Sequence, residues 1–499
     1  MIASSESTYD RLVAALRDLH RIKSTLGLLH WDQQVNLPPA SSDFRAEQVA
    51  ALSELAWREA ARPEIGDWLC ALESDPDLDA DARAVVKRAR RDYEEVTRLP
   101  GTFVRRKAEA GSKGYHAWHE ARSASDFSAF QDALQEQLDL AREQADLLGH
   151  ADRPYDYWVD HFDPGMTVET IDRLFSALQP ELLDLVQTMT GSPNQPDTSF
   201  LRGFDVDRQA TFVREVIGSL GFDWNRGRLD TAIHPFCSGH AADTRLTTRY
   251  HPDVPLDSLF SSIHEAGHGL YEQGLDPDWL GTALGSAVGM AVHESQSRLW
   301  ENQIGRSPHF WQYWEPRYRV AFAGNLDGVT ADDLYRAICA VSVTPIRVDS
   351  DEVTYNLHIM LRFLLEKQLF DGSLAVRDLP EAWNARSEEM LGFRPTSDAE
   401  GVLQDVHWSS GGFGYFPSYC LGNLLAAQLW YSLRAAVPDL DDQLARGETG
   451  AVLTWLRKHV HARAARFDTQ ALSRAVTGQP LGHHSLIRYL RERYLPLYT

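Results

Sequence analysis

A large, mainly α-helical fold with one small β-sheet is what this sequence predicts, and three observations predict it. Leucines recur at helical spacing in polar stretches, strand-like runs are few and short, and 43% of the 499 residues are hydrophobic. A chain of this length buries about three quarters of its unfolded surface, so it needs no disulfide staples. The four cysteines, Cys70, Cys237, Cys339 and Cys420, are scattered without a Cys-x-x-Cys pair. They read as free, mostly core thiols in a reducing compartment and argue against a thiolate zinc site. Lys and Arg number 49 against 71 Asp and Glu, and the formal charge of −22 repels nucleic acid and anionic lipid. The first thirty residues are charged and amphipathic, and nowhere do eighteen uncharged apolar residues run together. A cytoplasmic protein with no nucleic-acid and no membrane partner is expected.

Along the chain, Leu12, Leu16, Leu19, Leu26 and Leu29 mark the first helix, which Pro38-Pro39 stops. The polar run from Gly191 to Asp197 reads as a surface loop between helices and as a candidate lobe boundary. Arg245 to Tyr250, rich in Thr and bounded by Pro252, is the best strand, and Val341 to Val348 is a second candidate. A helix is expected from Glu352 to Phe370, capped by Asp351 and ended by Asp371-Gly372. No internal repeat or long linker interrupts the sequence, so residues 1–499 are expected to form one domain, with two helical lobes at most.

The most informative segment is Ser261 to Tyr271, which contains His264-Glu265-Ala266-Gly267-His268. With Asp257 as N-cap after Pro255 and Gly274 and Pro277 closing it, a helix of about four turns puts His264 and His268 at i, i+4 on one face. Their imidazoles can share one ion. Glu265 lies roughly 100° round the helix, beside the ion, where it can take a proton from a metal-activated water. This is the His-Glu-x-x-His arrangement. Glu294, in His293-Glu294-Ser295-Gln296 on a helix of small apolar residues, is the candidate third ligand, since a carboxylate there is costly unless paired or metal-bound. Two His and one Glu leave a position open, which is the catalytic pattern. His293 points elsewhere and either supports a ligand or packs in the core.

With these residues the sequence resembles the M32 metallocarboxypeptidases, the thermostable carboxypeptidase 1 family. Its signatures occur here in order: His234-Pro235-Phe236, Asp243-Thr244-Arg245-Leu246-Thr247, the His264–His268 motif, His293 to Gln296, Ile346 to Asp351, and Gly401 to Trp408. Trp31-Asp32-Gln33 with Pro38-Pro39 extends the likeness to nearly the whole chain, and Ser350 stands where many members carry Ala. The resemblance implies a metal-dependent carboxypeptidase that removes single residues from peptide C-termini, with one Zn²⁺, or Co²⁺, per chain, as a homodimer. It also implies a large helical gluzincin-type fold with a deep groove and a small sheet near the active site, similar to neurolysin and angiotensin-converting enzyme. Carried over residue by residue, His264, His268 and Glu294 hold the metal and Glu265 is the general base, while Arg245, Arg347, Gln404 and His407 face substrate.

An exopeptidase must hold a free α-carboxylate, and a guanidinium matches one bidentately. Arg347 is the stronger candidate and Arg245 the weaker, each with an ion pair to Asp243, Asp349 or Asp351 as its alternative. The developing oxyanion needs a donor, which His407 or a tyrosine can supply. The Gly-rich run Ser409 to Tyr419 reads as a mobile loop carrying two phenols, with Tyr415 favoured over Tyr419 and ordinary packing open for both. His234 either positions substrate or closes a turn. A metallo-endopeptidase or dipeptidase with the same chemistry, and a catalytically silent peptide-binding scaffold, are the competing readings.

Overall fold

The computed structural model describes residues 7–499. Its first helix, Thr8–Val35, opens with a reciprocal capping box between Ser7 and Asp10 and ends three residues before Pro38-Pro39. Only Leu12, Ala15 and Trp31 of that helix are buried. Leu12 and Ala15 join Ile65, Leu69, Leu72, Val86 and Ala89 in a small core of their own. From Trp118 to Tyr498 most of the buried apolar side chains form one continuous cluster. The Gly191–Asp197 stretch is a loop, as expected. It joins helices Val168–Thr190 and Val206–Ser219, whose apolar faces enter that same cluster.

Three strands form the sheet: β1 (Gly227–Thr231), β2 (Phe236–His240) and β3 (Asp243–Thr248), in the order β1-β3-β2. The central β3 pairs parallel with β1 and antiparallel with β2. The expected strand is therefore present but begins two residues earlier, at Asp243. The second candidate, Val341 to Val348, is not a strand. Its amides are taken up by side chains instead of a neighbouring strand: Val341 N–H donates to the Tyr498 hydroxyl (2.6 Å), Ser342 N–H to Asp351 (3.0 Å) and Arg347 N–H to Gln404 (2.8 Å).

The His-Glu-x-x-His helix spans Pro255–Glu272, with Pro255 in its first turn. Asp257 is not the cap; it lies inside the first turn and pairs with Arg249 at 3.1 Å. The later helix begins at Tyr355, not Glu352, because Asp351 caps the preceding turn through the amides of Val353 (2.8 Å) and Thr354 (3.0 Å). It ends at Gly372, whose φ of 79° is the left-handed stop expected there. The helix Phe416–Ala436 is buried on almost every face, as its unbroken apolar sequence requires. It packs against the Met290–Arg298 helix so closely that a Cβ on Gly422 would lie 2.6 Å from the Glu294 side chain.

Among the described residues no helix is long and apolar enough to cross a membrane. All four cysteines are free; Cys339 and Cys420 are buried, but Cys70 is exposed and Cys237 half-buried, so the core accounts for two of them.

Candidate metal centre and catalytic groove

Two helices make the metal centre. Gly267 has no side chain where a Cβ would sit 2.6 Å from the Ser297 Cα, so the Pro255–Glu272 helix lies directly on the Met290–Arg298 helix. That approach brings the Nε2 atoms of His264 and His268 each to 3.5 Å from Glu294 Oε2. All three donor atoms lie within 4.8 Å of one another. Ligands about 2.0–2.1 Å from a tetrahedral ion stand about 3.3 Å apart, so the trio fits a divalent ion of zinc's size.

The groups behind the donors fix how they point. His264 Nδ1 is 2.9 Å from Glu301 Oε2, and His268 Nδ1 is 3.1 Å from the His293 carbonyl, which turns both Nε2 atoms toward Glu294 Oε2. His293 stacks on His268, with its Nδ1 2.6 Å from His268 Nδ1 and its Nε2 3.0 Å from Glu272. Arg298 Nε donates to Glu294 Oε1 at 2.7 Å, while Oε2 is the oxygen that faces the two imidazoles. The same guanidinium reaches Glu301 at 3.1 Å. Glu301 sits where the helix changes to π winding, over Leu299–Ile304.

The charges follow from these contacts. Burial raises the Glu294 carboxyl, but Arg298, His264 and His268 outweigh it and hold the group well below the usual carboxylate range. Burial and the neighbouring His293 push His268 down to about 3, so its imidazole is neutral, as a ligand must be. Glu265 is also buried and, among the described residues, forms no ion pair. Burial lifts its carboxyl to about 7, opposed by His264 and reinforced by the charge on Glu294.

A second cluster joins the first through Tyr355. The Arg298 guanidinium lies 4.5 Å over the Tyr355 ring, and the Tyr355 hydroxyl accepts from Arg347 Nη1 at 3.0 Å. Arg347 Nε and Nη2 pair with Asp405 Oδ1 at 3.0 and 2.8 Å, while Arg362 takes Asp405 Oδ2 at 2.6 Å. Two buried guanidiniums share one carboxylate, which leaves this wall with one excess positive charge. His407 and the phenols close the group: His407 Nε2 is 3.4 Å from the Tyr419 hydroxyl, its ring is 5.6 Å from that of Tyr415, and its Nδ1 is buried without a partner among the described residues. Burial holds His407 at about 4, hence neutral, and pushes the hydroxyls of Tyr415 and Tyr419 up, so both remain donors.

The comparisons with known proteins coincide with this geometry. The family model described as carboxypeptidase Taq (M32) metallopeptidase matches residues 11–494. The chain belongs to that family. It is 39% identical to thermostable carboxypeptidase 1 of Thermus thermophilus, with 99% of each chain covered, and 37% identical to carboxypeptidase 1 of Bacillus subtilis, with 97% of each covered. The crystal structure of an M32 carboxypeptidase from Deinococcus radiodurans superposes with a TM-score of 0.96 at 40% identity, covering 98% of this chain and 99% of that one. As an M32 member the protein is a metal-dependent carboxypeptidase.

Within this M32 chain the expected metal residues converge, with Glu265 beside them, and His407, Tyr415, Tyr419 and Arg347 share one wall. Others differ from expectation. Arg347 pairs with Asp405, not with Asp349 or Asp351. Arg245 is held by Asp243 at 3.0 Å and stacks 4.2 Å from Trp31 of the first helix, a neutral pair with its face covered. The Gln404 amide is fully engaged: Oε1 accepts from Arg347 N–H, and Nε2 donates to the carbonyls of Pro345 (3.1 Å) and Glu400 (2.8 Å). His234 is exposed in the turn between β1 and β2. The segment after His407 is not a mobile loop; Phe413, Gly414, Phe416 and Ser418 are buried and Tyr419 is already helical. Sequence reasoning missed Glu301, Arg298, Tyr355, Arg362 and Asp405. Glu294, Arg298 and Glu301 fall at i, i+4 and i+7, a charged stripe along one helix face that could have revealed the first two of these.

Proposed function

We propose that this enzyme releases single residues from peptide C-termini with His264, His268 and Glu294 as metal ligands, Glu265 as general base and Arg347 as the anchor of the terminal carboxylate. The observation that carries the reading is the pairing of a convergent two-His, one-Glu donor set with a buried wall of net positive charge, linked through Arg298 and Tyr355. His264, His268 and Glu294 would hold a divalent ion, which would supply Lewis acidity to the scissile carbonyl and the attacking water. Glu265 takes the proton of the attacking water on its carboxylate and returns it to the leaving amine. The neutral His407 and the phenol of Tyr415 donate to the oxygen on which negative charge develops, with Tyr419 packed behind them.

The ion is proposed as Zn²⁺, with Co²⁺ the alternative, since imidazole and carboxylate accept both. The whole chain, residues 1–499, is read as one catalytic domain working in the cytoplasm as a homodimer, which sedimentation equilibrium would check. Arg245 and His234 remain proposed substrate contacts at the sheet, and Gln404 is reassigned to positioning Arg347.

Carboxylate recognition is tested with a free-acid peptide and its C-terminal amide. Wild type is expected to cleave the acid strongly in preference, and Arg347→Ala to lose most of that preference while still binding metal. Loss of a desolvated partner corresponds to about 3–5 kcal/mol. Arg347→Lys keeps the charge without the fork and is expected to be impaired as well. Preference that survives Arg347→Ala and collapses in Arg245→Ala would move the anchor to the sheet.

A further inference from the structure

Glu366 is wholly buried in the middle of the Tyr355–Asp371 helix, in neither the metal centre nor the Arg347 cluster. Its carboxylate accepts three hydrogen bonds. Oε1 receives the Trp408 indole N–H at 2.6 Å; Oε2 receives the Gly414 backbone N–H at 2.9 Å and the Tyr155 hydroxyl at 2.7 Å. Among the described residues it makes no ion pair. A buried acid without a counter-ion is costly, and packing alone would be served better by an apolar side chain. What sets it apart is where the donors come from. Trp408 directly follows His407, and Gly414 directly precedes Tyr415, so one carboxylate grips the segment next to both proposed oxyanion donors. Gly414 has φ of 79°, and a Cβ there would meet the Trp158 backbone at 2.6 Å, so the segment has no slack against its other neighbour.

We propose that Glu366 is a positioning residue that sets the separation of His407 and Tyr415 for the transition state by holding Trp408 and Gly414 on one carboxylate. This rests on the reading of His407 and Tyr415 given above. Gln is the informative substitution. It offers one oxygen and one NH₂, and the NH₂ must face either the Trp408 N–H or the Gly414 N–H, donor against donor.

The test measures kcat, KM and metal content of Glu366→Gln, Trp408→Phe and the double variant, beside His407→Ala and Tyr415→Phe. Glu366→Gln is expected to bind metal normally, to keep KM within about twofold and to lose roughly 10–100-fold in kcat, the scale of a small misplacement of catalytic groups. Removing the indole donor relieves the conflict, so the double variant is expected to recover much of that kcat. A purely structural role predicts instead that the second substitution adds to the damage. If Glu366→Gln does not fold, Trp408→Phe and Tyr155→Phe carry the test, each expected to lower kcat at constant KM. Wild-type kcat in Glu366→Gln, or no recovery in the double variant, overturns the role of Glu366. Full activity in both His407→Ala and Tyr415→Phe overturns the reading it rests on.

Discussion

At the scale of single residues, the chemistry is divided between side chains adjacent in sequence and side chains far apart in it. His264, Glu265 and His268 are legible because helical periodicity alone fixes their faces. Glu265→Gln keeps shape and removes basicity, so it is expected to retain the metal and lose roughly 10²–10⁴-fold in kcat, read by steady-state kinetics with elemental analysis. Near-normal turnover would remove Glu265 from the mechanism. His264→Ala and Glu294→Ala are expected to lose the ion itself. Tyr415→Phe is expected to cost roughly 10²–10³-fold in kcat, and a change confined to KM would instead make Tyr415 a binding or packing residue. The partners of these groups were hidden for a simple reason: His264 meets Glu301 37 positions away and Arg347 meets Asp405 58 positions away, separations that only the fold can close.

At the scale of elements, contacts between helices decide whether the ligands meet. Gly267 is one; Gly267→Ala would drive a methyl into the Ser297 backbone, and we expect a loss of about 1–3 kcal/mol in stability together with weaker metal binding in a titration. Asp163 is another. Its carboxyl accepts from Ala291 N–H at 2.6 Å and from the Ser418 hydroxyl at 2.5 Å, joining the Glu294 helix to the Tyr419 helix. Burial, only partly offset by those two bonds, raises Asp163 to about 6. A carboxyl raised above its unfolded value binds a proton more tightly in the native state, so its contribution to stability is full at low pH and falls as pH rises through 6. Asp163→Asn mimics the protonated group. It is expected to match wild type near pH 4 and to exceed it by about 3 kcal/mol at pH 8, and a gap independent of pH would contradict the assignment. Helices were legible because their leucines repeat. β1 and β2 were not, because each is five residues long, without buried positions to create an alternating pattern.

At the scale of the whole molecule, the Pro255–Glu272 and Met290–Arg298 helices carry the donor set, and the Arg347 cluster joins it through Arg298 and Tyr355; in the proposed reading, the ion, the base and the positive cluster act on a single peptide end. Spacing and composition reached a helical protein with one small sheet, and the resemblance carried the expectation of a gluzincin-type fold with a groove. The same spacing could not show that the Ser409 to Tyr419 run is buried, since its glycines signal turns whether or not a protein core surrounds them. The most direct measurement digests an N-terminally blocked peptide with metal-loaded wild type and with metal-loaded Glu265→Gln, and reads product masses over time. The account predicts a ladder that loses one C-terminal residue at a time with wild type and an essentially unchanged peptide with the variant. Internal cleavage by wild type, or a ladder of equal rate from Glu265→Gln, would contradict it.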